Sequence, residues 1–194
     1  MSIRPAIESD LPAILAIYGP YVENTAYSFE YTVPTLAEFT DRFRRITAQF
    51  PWLVWEENGQ VAGYAYGSAP FSRAAYRWDA EISIYVAPEY HGKGIGKKLV
   101  HALEELLRCQ GYATIYSIIT EENHGSVAFH AKVGYQFLVE IPRCGFKFGR
   151  WLSIIWMEKR LCPDENPTAP PTPWPALVKN TRNLSEILDK ITLS

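Results

Sequence analysis

The segment between residues 80 and 99 holds the residues whose types and spacing best suit chemistry. An apolar strand pattern is followed by three glycines, Gly92, Gly94 and Gly96, and then by an amphipathic helix pattern. Glycines keep a turn free of side chains, so successive backbone N–H groups can point at one anion, and the helix adds the positive end of its dipole. This spacing predicts a pyrophosphate-binding loop. Glu81 lies on the strand before the loop, where a carboxylate can accept a proton from a molecule bound beside the anion.

The glycine spacing, Gly-x-Gly-x-Gly, differs from two common nucleotide-binding motifs. The Walker loop requires Gly-Lys followed by Ser or Thr, and the dinucleotide fingerprint requires Gly-x-Gly-x-x-Gly. The segment instead resembles the pyrophosphate loop of the GNAT superfamily of N-acetyltransferases, usually written Gln/Arg-x-x-Gly-x-Gly/Ala, with His91 in the first position. This resemblance implies acetyl-CoA as co-substrate. It also implies coenzyme contacts from six consecutive loop residues, Gly92, Lys93, Gly94, Ile95, Gly96 and Lys97.

A second coenzyme motif follows further along the chain. Asn123-x-x-Ser126 resembles the GNAT pattern Asn-x-x-Ala/Ser, which a tyrosine follows four residues later. His130 stands in the place of that tyrosine, which in many GNAT enzymes protonates the departing thiolate. By this resemblance Asn123, Ser126 and His130 contact the coenzyme. For His130 two roles stay open, proton transfer on the one hand and packing or coenzyme contact on the other.

The strand before the glycine loop supplies the candidate catalytic groups. An α-amino group is mostly protonated near neutral pH, so acetyl transfer to it needs a proton acceptor. Glu81 is our candidate for this general base, and the matching glutamate in the phosphinothricin branch of the superfamily is regarded as the base. Ile84, Tyr85 and Val86 match the strand that GNAT enzymes splay from its neighbour to hold the pantetheine arm. That resemblance implies that the Val86 N–H faces the thioester oxygen.

Substrate recognition points to one branch of the superfamily. Over roughly residues 2–161 the chain resembles the phosphinothricin and methionine sulfoximine acetyltransferases, through Ser28-Phe29-Glu30, Trp52-Leu53-Val54, Arg73-Ala74-Ala75-Tyr76-Arg77-Trp78 and Lys147-Phe148-Gly149-Arg150-Trp151. A small amino acid with an anionic or polar head requires cations, for which Arg73 and Lys147 are candidates. Phe29 and Tyr76 are candidates for the walls around its aliphatic part. Taken alone, each of the two cations could also be a solvated charge on a loop. Each of the two aromatic residues could equally be an ordinary core residue.

Composition limits the other classes of function. With 194 residues the chain is long enough for one well-buried domain, and a net charge of −2 gives no indication of a nucleic-acid or membrane partner. The three cysteines have no metal-ligand spacing, which favours reduced thiols in the cytoplasm and predicts no metal site. No apolar run approaches the length of a membrane span. The resemblance further implies a homodimer.

Periodicity and turn signals predict the element order β-α-α-β-β-β-α-β-α-β-β for residues 1–161, which we assign to one domain. The last two strands are predicted at 134–140 and 151–160. This order indicates an α/β fold with a mixed, mostly antiparallel central sheet and helices on both faces. It is also the element order of the GNAT fold.

Residues 162–194 form a proline-rich extension. The prolines from Pro163 to Pro175 predict a stiff linker, and the stretch from Asn183 to Leu188 predicts one short helix. We expect the extension to pack on the domain or on a neighbouring subunit, and we find no residues in it that suggest chemistry.

Together these patterns predict an acetyl-CoA-dependent N-acetyltransferase that acetylates the α-amino group of a small amino-acid analogue by direct attack. Two alternatives stay open. One is a GNAT enzyme acting on a protein N-terminus or a polyamine, although a polyamine site favours an acidic lining and the loops here offer Arg73, Arg77 and Lys147. The other is a non-catalytic acetyl-CoA-binding module, against which Glu81 argues.

Overall fold

The computed structural model describes residues 1–162, 166–180 and 184–193. Its strands are β1 (Ser2–Pro5), β2 (Trp52–Glu57), β3 (Gln60–Ser68), β4 (Asp79–Val86), β5 (Thr114–Thr120), β6 (Gln136–Lys147) and β7 (Arg150–Arg160). Its helices are α1 (Leu11–Asn24), α2 (Leu36–Thr47), α3 (Ile95–Gln110), α4 (His124–Lys132), α5 (Trp174–Asn180) and α6 (Leu184–Leu193). Within the described ranges, seven strands form one sheet in the order β1-β2-β3-β4-β5-β7-β6.

All neighbouring strands pair antiparallel except β4 and β5, which are parallel. The predicted mixed, mostly antiparallel sheet is therefore confirmed, and so is the predicted order of elements through β7. None of the helices in the described part of the chain is long and apolar enough to cross a membrane.

Helices cover both faces of the sheet, and each face has its own core. α1 and α2 pack on one face, where Phe39, Trp52 and Tyr64 are among the buried side chains. α3 packs on the other face through residues such as Leu99 and Leu103, which are fully buried. Burial of one such leucine is worth about 1.5–3 kcal/mol. The two cores hold the central strands β3 and β4 from both sides.

Helix α3 is bounded by two glycines in the left-handed region. Gly94 precedes it with φ +80°, and Gly111 follows it with φ +94°. Glycine adopts this conformation without steric cost, which is why it starts and stops the helix here. The predicted amphipathic helix after the glycine loop is confirmed, and it ends at Gly111. Its N-terminus opens directly onto the glycine loop.

The parallel strands β4 and β5 stay together only at their beginnings. Their register ends with the pair Glu81 and Tyr116. Beyond that pair β4 continues along β3 to Val86, whereas β5 continues along β7 to Thr120. The two strands therefore diverge toward their carboxyl ends, and a cleft opens between them with Glu81 at its base.

The last hairpin differs from its predicted bounds. β6 continues to Lys147, well past the predicted end at residue 140, and its register with β7 shifts between Phe137 and Val139 and again between Ile141 and Gly145. Such shifts accommodate extra residues in one strand of a pair. Pro142, which has no backbone N–H, lies in the second shift and on an edge strand, where proline is tolerated. The alternating pattern that marks a strand is interrupted at these places.

The C-terminal extension contains two helices, where the sequence predicted one. Pro163 and Asn183 lie outside the described residues. Pro175 belongs to the first turn of α5 and not to a linker, because proline is tolerated at the start of a helix. Trp174 and Leu188 are buried in the core beneath α3.

The extension packs on the same chain. The backbone N–H of Trp174 donates to the Gln49 carbonyl at 3.0 Å. At the other end, the Ile3 N–H donates to the Thr192 hydroxyl at 3.2 Å, and Lys98 Nζ donates to the Thr192 carbonyl at 2.6 Å. These bonds fasten α6 to β1 and to the first turns of α3.

Candidate active site

The cleft between β4 and β5 gathers residues from both strands, from α1 and from α4. Its lining comprises Tyr21, Tyr27, Ile82, Ser83, Ile84, Tyr85, Ser117, Ile118, Ile119, Thr120, Asn123, Ser126 and His130. Five of the predicted coenzyme contacts, Ile84, Tyr85, Asn123, Ser126 and His130, therefore lie together. The sequence did not single out Tyr21, Tyr27, Ser117 or Thr120, because such residues in helix and strand patterns do not differ from ordinary core positions.

The backbone of β4 presents hydrogen-bonding groups to this cleft. The Ala87 N–H donates to the Ala62 carbonyl at 2.9 Å and so points toward β3. Because successive residues of a strand point their N–H groups to opposite sides, the Val86 N–H points away from β3 and into the cleft. The Val86 carbonyl faces the same side, where it accepts a hydrogen bond from the Tyr21 hydroxyl at 2.8 Å. The Val86 N–H is thus placed to donate to a bound molecule.

Glu81 occupies the last position at which β4 and β5 still pair. Burial raises the pKa of its carboxyl to about 7, because the charged form loses hydration in the protein. A carboxylate with this pKa is half ionised near neutral pH and is a stronger base than an exposed glutamate. Glu81 is not itself among the residues that line the cleft. Its place where the two strands part and its raised pKa suit a proton acceptor beside the cleft.

The glycine loop presents an open backbone at the mouth of the cleft. Gly92 and Gly94 have φ of +75° and +80°, and a methyl group placed on either would meet no other atom within 4 Å. Gly94 caps α3 without a side-chain hydrogen bond, which leaves the first N–H groups of the helix available. Lys97 is exposed nearby, and Lys93 lies over the Tyr90 ring at 4.4 Å. These features suit a pyrophosphate.

His130 is 1% exposed, and both of its ring nitrogens have hydrogen-bond partners. Its Nδ1 lies 2.8 Å from the Ser126 carbonyl oxygen, which can only accept, so the ring proton is on Nδ1. Nε2 then accepts from the Ser117 hydroxyl at 3.0 Å. Burial lowers the pKa of His130, because the charged ring loses hydration. A neutral ring with these partners favours the packing or contact role over proton donation.

Asn123 caps helix α4. Its side-chain oxygen accepts from the Ser126 N–H at 3.1 Å. The Asn-x-x-Ser spacing therefore has a local structural cause, since this is the usual geometry of an N-cap. Both residues also line the cleft, so the cap and the coenzyme-contact prediction are compatible.

Lys147 does not have the role that the sequence predicted. Its side chain is buried, and Nζ donates to the carbonyls of Val22, Thr25 and Ser28 at 2.7, 3.0 and 2.6 Å. All three ammonium hydrogens are thus used within the chain, and none is left for a substrate. Lys147 instead holds carbonyls in the last turn of α1 and in the segment that follows it, near the helix C-terminus, where a positive charge is favourable.

Arg73 and Tyr76 lie on the loop between β3 and β4. This loop begins after Ser68, which pairs with Glu81 across the two strands, so it starts at the base of the cleft. The Arg73 side chain is exposed and has no hydrogen bond or ion pair with the described residues. Tyr76 packs against Phe71, with ring centroids 4.6 Å apart. Arg73 therefore remains free to bind an anionic group.

Phe29 lies on the segment between α1 and α2. Its ring packs on the backbone of β6 at Gly145 and is 37% exposed. The same segment reaches the cleft, because the Thr120 hydroxyl donates to the Ala26 carbonyl at 2.6 Å and Tyr27 is part of the lining. Residues 25–30 thus form one wall beside the cleft.

The model of the acetyltransferase (GNAT) domain family matches residues 3–156. The chain belongs to the GNAT family. It is 39% identical over 166 residues to the L-methionine sulfoximine/L-methionine sulfone acetyltransferase of Pseudomonas paraeruginosa, covering 84% of this chain and 95% of the relative. The predicted family and its fold are therefore confirmed, and the protein is an N-acetyltransferase of the GNAT type.

Two solved structures are similar to the chain over most of its length. A GNAT phosphinothricin acetyltransferase from Sinorhizobium meliloti, solved in complex with AcCoA, has a TM-score of 0.84 and 37% identity, covering 89% of this chain and 96% of the other. A ribosomal-protein-alanine N-acetyltransferase from Brucella melitensis has a TM-score of 0.80 and 36% identity, covering 82% of this chain and 99% of the other. The chain thus shares its fold with structures named as a phosphinothricin acetyltransferase and as a ribosomal-protein-alanine N-acetyltransferase.

Proposed function

We propose that this GNAT enzyme uses acetyl-CoA to acetylate the α-amino group of a small amino-acid analogue of the phosphinothricin or methionine sulfoximine type. The observation that carries the proposal is the placement of Glu81. Glu81 is the last residue of β4 that pairs with β5 before the two strands diverge, and burial raises the pKa of its carboxyl to about 7. Similarity to the Pseudomonas and Sinorhizobium enzymes supports the substrate class.

The donor side of the reaction uses the glycine loop and the backbone of β4. Residues 92–97 bind the pyrophosphate through their N–H groups and the N-terminus of α3. When bound, acetyl-CoA supplies a thioester whose carbonyl carbon accepts the amine. The Val86 N–H, which points into the cleft, stabilises negative charge that develops on the carbonyl oxygen. A thiolate is a good leaving group, and the neutral His130 is not required as an acid.

The acceptor side uses Glu81 and the loop after β3. Glu81 accepts the proton that the ammonium group must lose before its nitrogen can attack. Arg73 pairs with the anionic head of the acceptor, because its guanidinium is exposed and free among the described residues. Phe29 and Tyr76 border the aliphatic part. Attack is direct, with no acetylated residue of the enzyme on the path.

A panel of amines tests this assignment. Acetyl-CoA turnover is followed by release of free thiol with methionine sulfoximine, phosphinothricin, a peptide with N-terminal alanine, and spermidine. We expect the two amino-acid analogues to have the highest kcat/KM. The alanine peptide is the second candidate, because the Brucella enzyme of similar fold is a ribosomal-protein-alanine acetyltransferase. A preference for the peptide or for spermidine would contradict the proposal.

The glycine loop gives a prediction on coenzyme binding. We expect Gly94→Val to weaken acetyl-CoA binding at least tenfold, about 1.4 kcal/mol, because a β-branched residue at φ +80° distorts the turn and blocks close approach of the pyrophosphate. Gly59→Val is the matched control, since Gly59 has φ +78° and open space around it but lies in the β2–β3 turn. Calorimetric titration of both variants measures the affinity. Equal affinities for acetyl-CoA would contradict a pyrophosphate site at this loop.

We further assign the protein to the cytoplasm, as a homodimer. The cysteines Cys109, Cys144 and Cys162 are free thiols, which suits a reducing compartment. β6 is an edge strand, and it exposes a run of apolar side chains that includes Phe137, 63% exposed, and Val139. Exposed apolar edges of this kind favour pairing with another chain. Sedimentation velocity is expected to give a dimer for the wild type and a monomer for Val139→Lys, and a monomeric wild type would contradict the assignment.

A further inference from the structure

Gly145 lies directly beneath the ring of Phe29. A methyl group placed on Gly145 would be 2.1 Å from Phe29 Cε2, 2.6 Å from Cδ2 and 2.8 Å from Cζ. Gly145 is not among the glycines with positive φ, so its backbone accepts any residue. The ring alone excludes a side chain here. We infer that Gly145 is a positioning residue, whose lack of a side chain sets where Phe29 stands and so sets the size of the acceptor pocket.

The two residues after Gly145 fasten the same segment. The Phe146 carbonyl accepts a hydrogen bond from the Tyr31 hydroxyl. Lys147 donates its three hydrogen bonds to carbonyls between Val22 and Ser28. Three consecutive residues at the end of β6 thus contact the segment 22–31. Gly145 lies under the Phe29 ring, while Phe146 and Lys147 form hydrogen bonds with this segment. The backbone is held firmly, so a side chain at position 145 displaces the ring and not the loop.

This displacement acts on the wall of the cleft. Residues 25–30 contact the cleft through the Ala26 carbonyl and the Tyr27 side chain, and the Ser28 hydroxyl lies 2.7 Å from the Tyr18 hydroxyl. The Phe29 ring has room to swing outward, because 37% of its surface is exposed. A larger residue 145 therefore moves an aromatic ring of the segment that borders the cleft, whereas the glycine loop and Glu81 make no contact with Gly145. The inference rests on the proposed function, in which Phe29 borders the acceptor.

Gly145→Ala tests the inference by its effect on the two substrates. We expect the KM for methionine sulfoximine to rise roughly tenfold, the size of effect that one methylene produces in an apolar pocket. The affinity for acetyl-CoA and kcat should change less than about twofold, because neither the loop nor Glu81 moves. Gly19→Ala is the matched control. A methyl group there meets only Val33 at an ordinary 3.6 Å, and Gly19 lies on α1 away from the cleft.

A double-mutant cycle identifies Phe29 as the mediator. In the Phe29→Ala background, Gly145→Ala should leave the KM unchanged within about twofold, because the ring that it displaces is gone. Equal KM factors in the two backgrounds would overturn the inference. The same cycle on urea unfolding needs no substrate, and there Gly145→Ala should destabilise only the chain that retains Phe29. Additive unfolding effects would overturn the inference as well, whereas wild-type enzyme that acetylates no amino acid would refute the proposed function alone.

Discussion

Glu81→Gln is expected to lower turnover near pH 7 by about two to four orders of magnitude, the usual effect of removing a general base. Glutamine keeps the shape of the side chain but cannot accept the proton of the ammonium group. Acetyl-CoA affinity should be unchanged, because Glu81 lies at the base of the cleft and the glycine loop lies at its mouth. Steady-state kinetics and calorimetry measure the two quantities separately.

Glu158→Gln is the matched control for this change. Glu158 lies on β7 opposite Tyr116, and Tyr116 in turn pairs with Glu81. The control substitution therefore removes a nearby carboxylate of the same sheet and leaves Glu81 in place. It should leave turnover within about twofold of the wild type. Full activity of Glu81→Gln at pH 7 would refute the assignment of the base.

The raised pKa of Glu81 also determines the direction of the pH dependence. Below about pH 7 the carboxyl is protonated and cannot accept a proton, so kcat/KM of the wild type should rise with pH through about 7 and then level off. Glu81→Gln lacks this rise. Its deficit should instead shrink at higher pH, where more of the amine is already deprotonated. An identical pH profile for wild type and variant would contradict the role of Glu81.

Arg73→Ala is expected to raise the KM for phosphinothricin or methionine sulfoximine about ten- to a hundredfold. This corresponds to the loss of one charge-assisted hydrogen bond, roughly 1.5–3 kcal/mol. Acetyl-CoA affinity should stay constant, since Arg73 lies on the loop after β3, away from the glycine loop. Initial rates at saturating acetyl-CoA give the KM for each amine.

Arg77→Ala provides a control within the same loop. Arg77 Nε donates to the Ala74 carbonyl at 2.9 Å, and its guanidinium lies over the Trp78 ring, so it is engaged where Arg73 is free. Its replacement should affect charged and neutral amines alike. Arg73→Ala could instead raise the KM of a neutral amine as strongly as that of the anionic analogues. In that case Arg73 would stabilise the loop and would not recognise the anionic group of the substrate.

Several features were predictable because a local pattern determines them. The apolar face of α3 predicted the helix, and it ends at the glycine that follows the apolar pattern, Gly111. Glu81 was identified from its distance to the glycine loop along a single strand and turn. The relative positions of residues on a strand and on the turn that follows it can be predicted from the sequence, because these two elements have little freedom to rearrange.

Other features depend on contacts between distant parts of the chain. A lysine in a turn-rich segment suggests a surface cation, and nothing local indicates that Lys147 reaches carbonyls more than a hundred positions away. The relation between Phe29 and Gly145 is of the same kind. The length of β6 was underestimated for a different reason, since its two register shifts interrupt the alternation by which a strand is identified.

The two margins of the sheet are unequal. On one side β1 is four residues long, and the Thr192 hydroxyl accepts its outward Ile3 N–H beneath α6. On the other side β6 has twelve residues that are nearly all exposed. A sheet with two free edges can pair edge to edge with further copies without limit, as in fibres. A sheet with one free edge has no free edge left once a second copy has paired with it. In the homodimer proposed above, pairing through β6 would leave the β1 margin of each copy covered by α6, so edge-to-edge association would end at two copies.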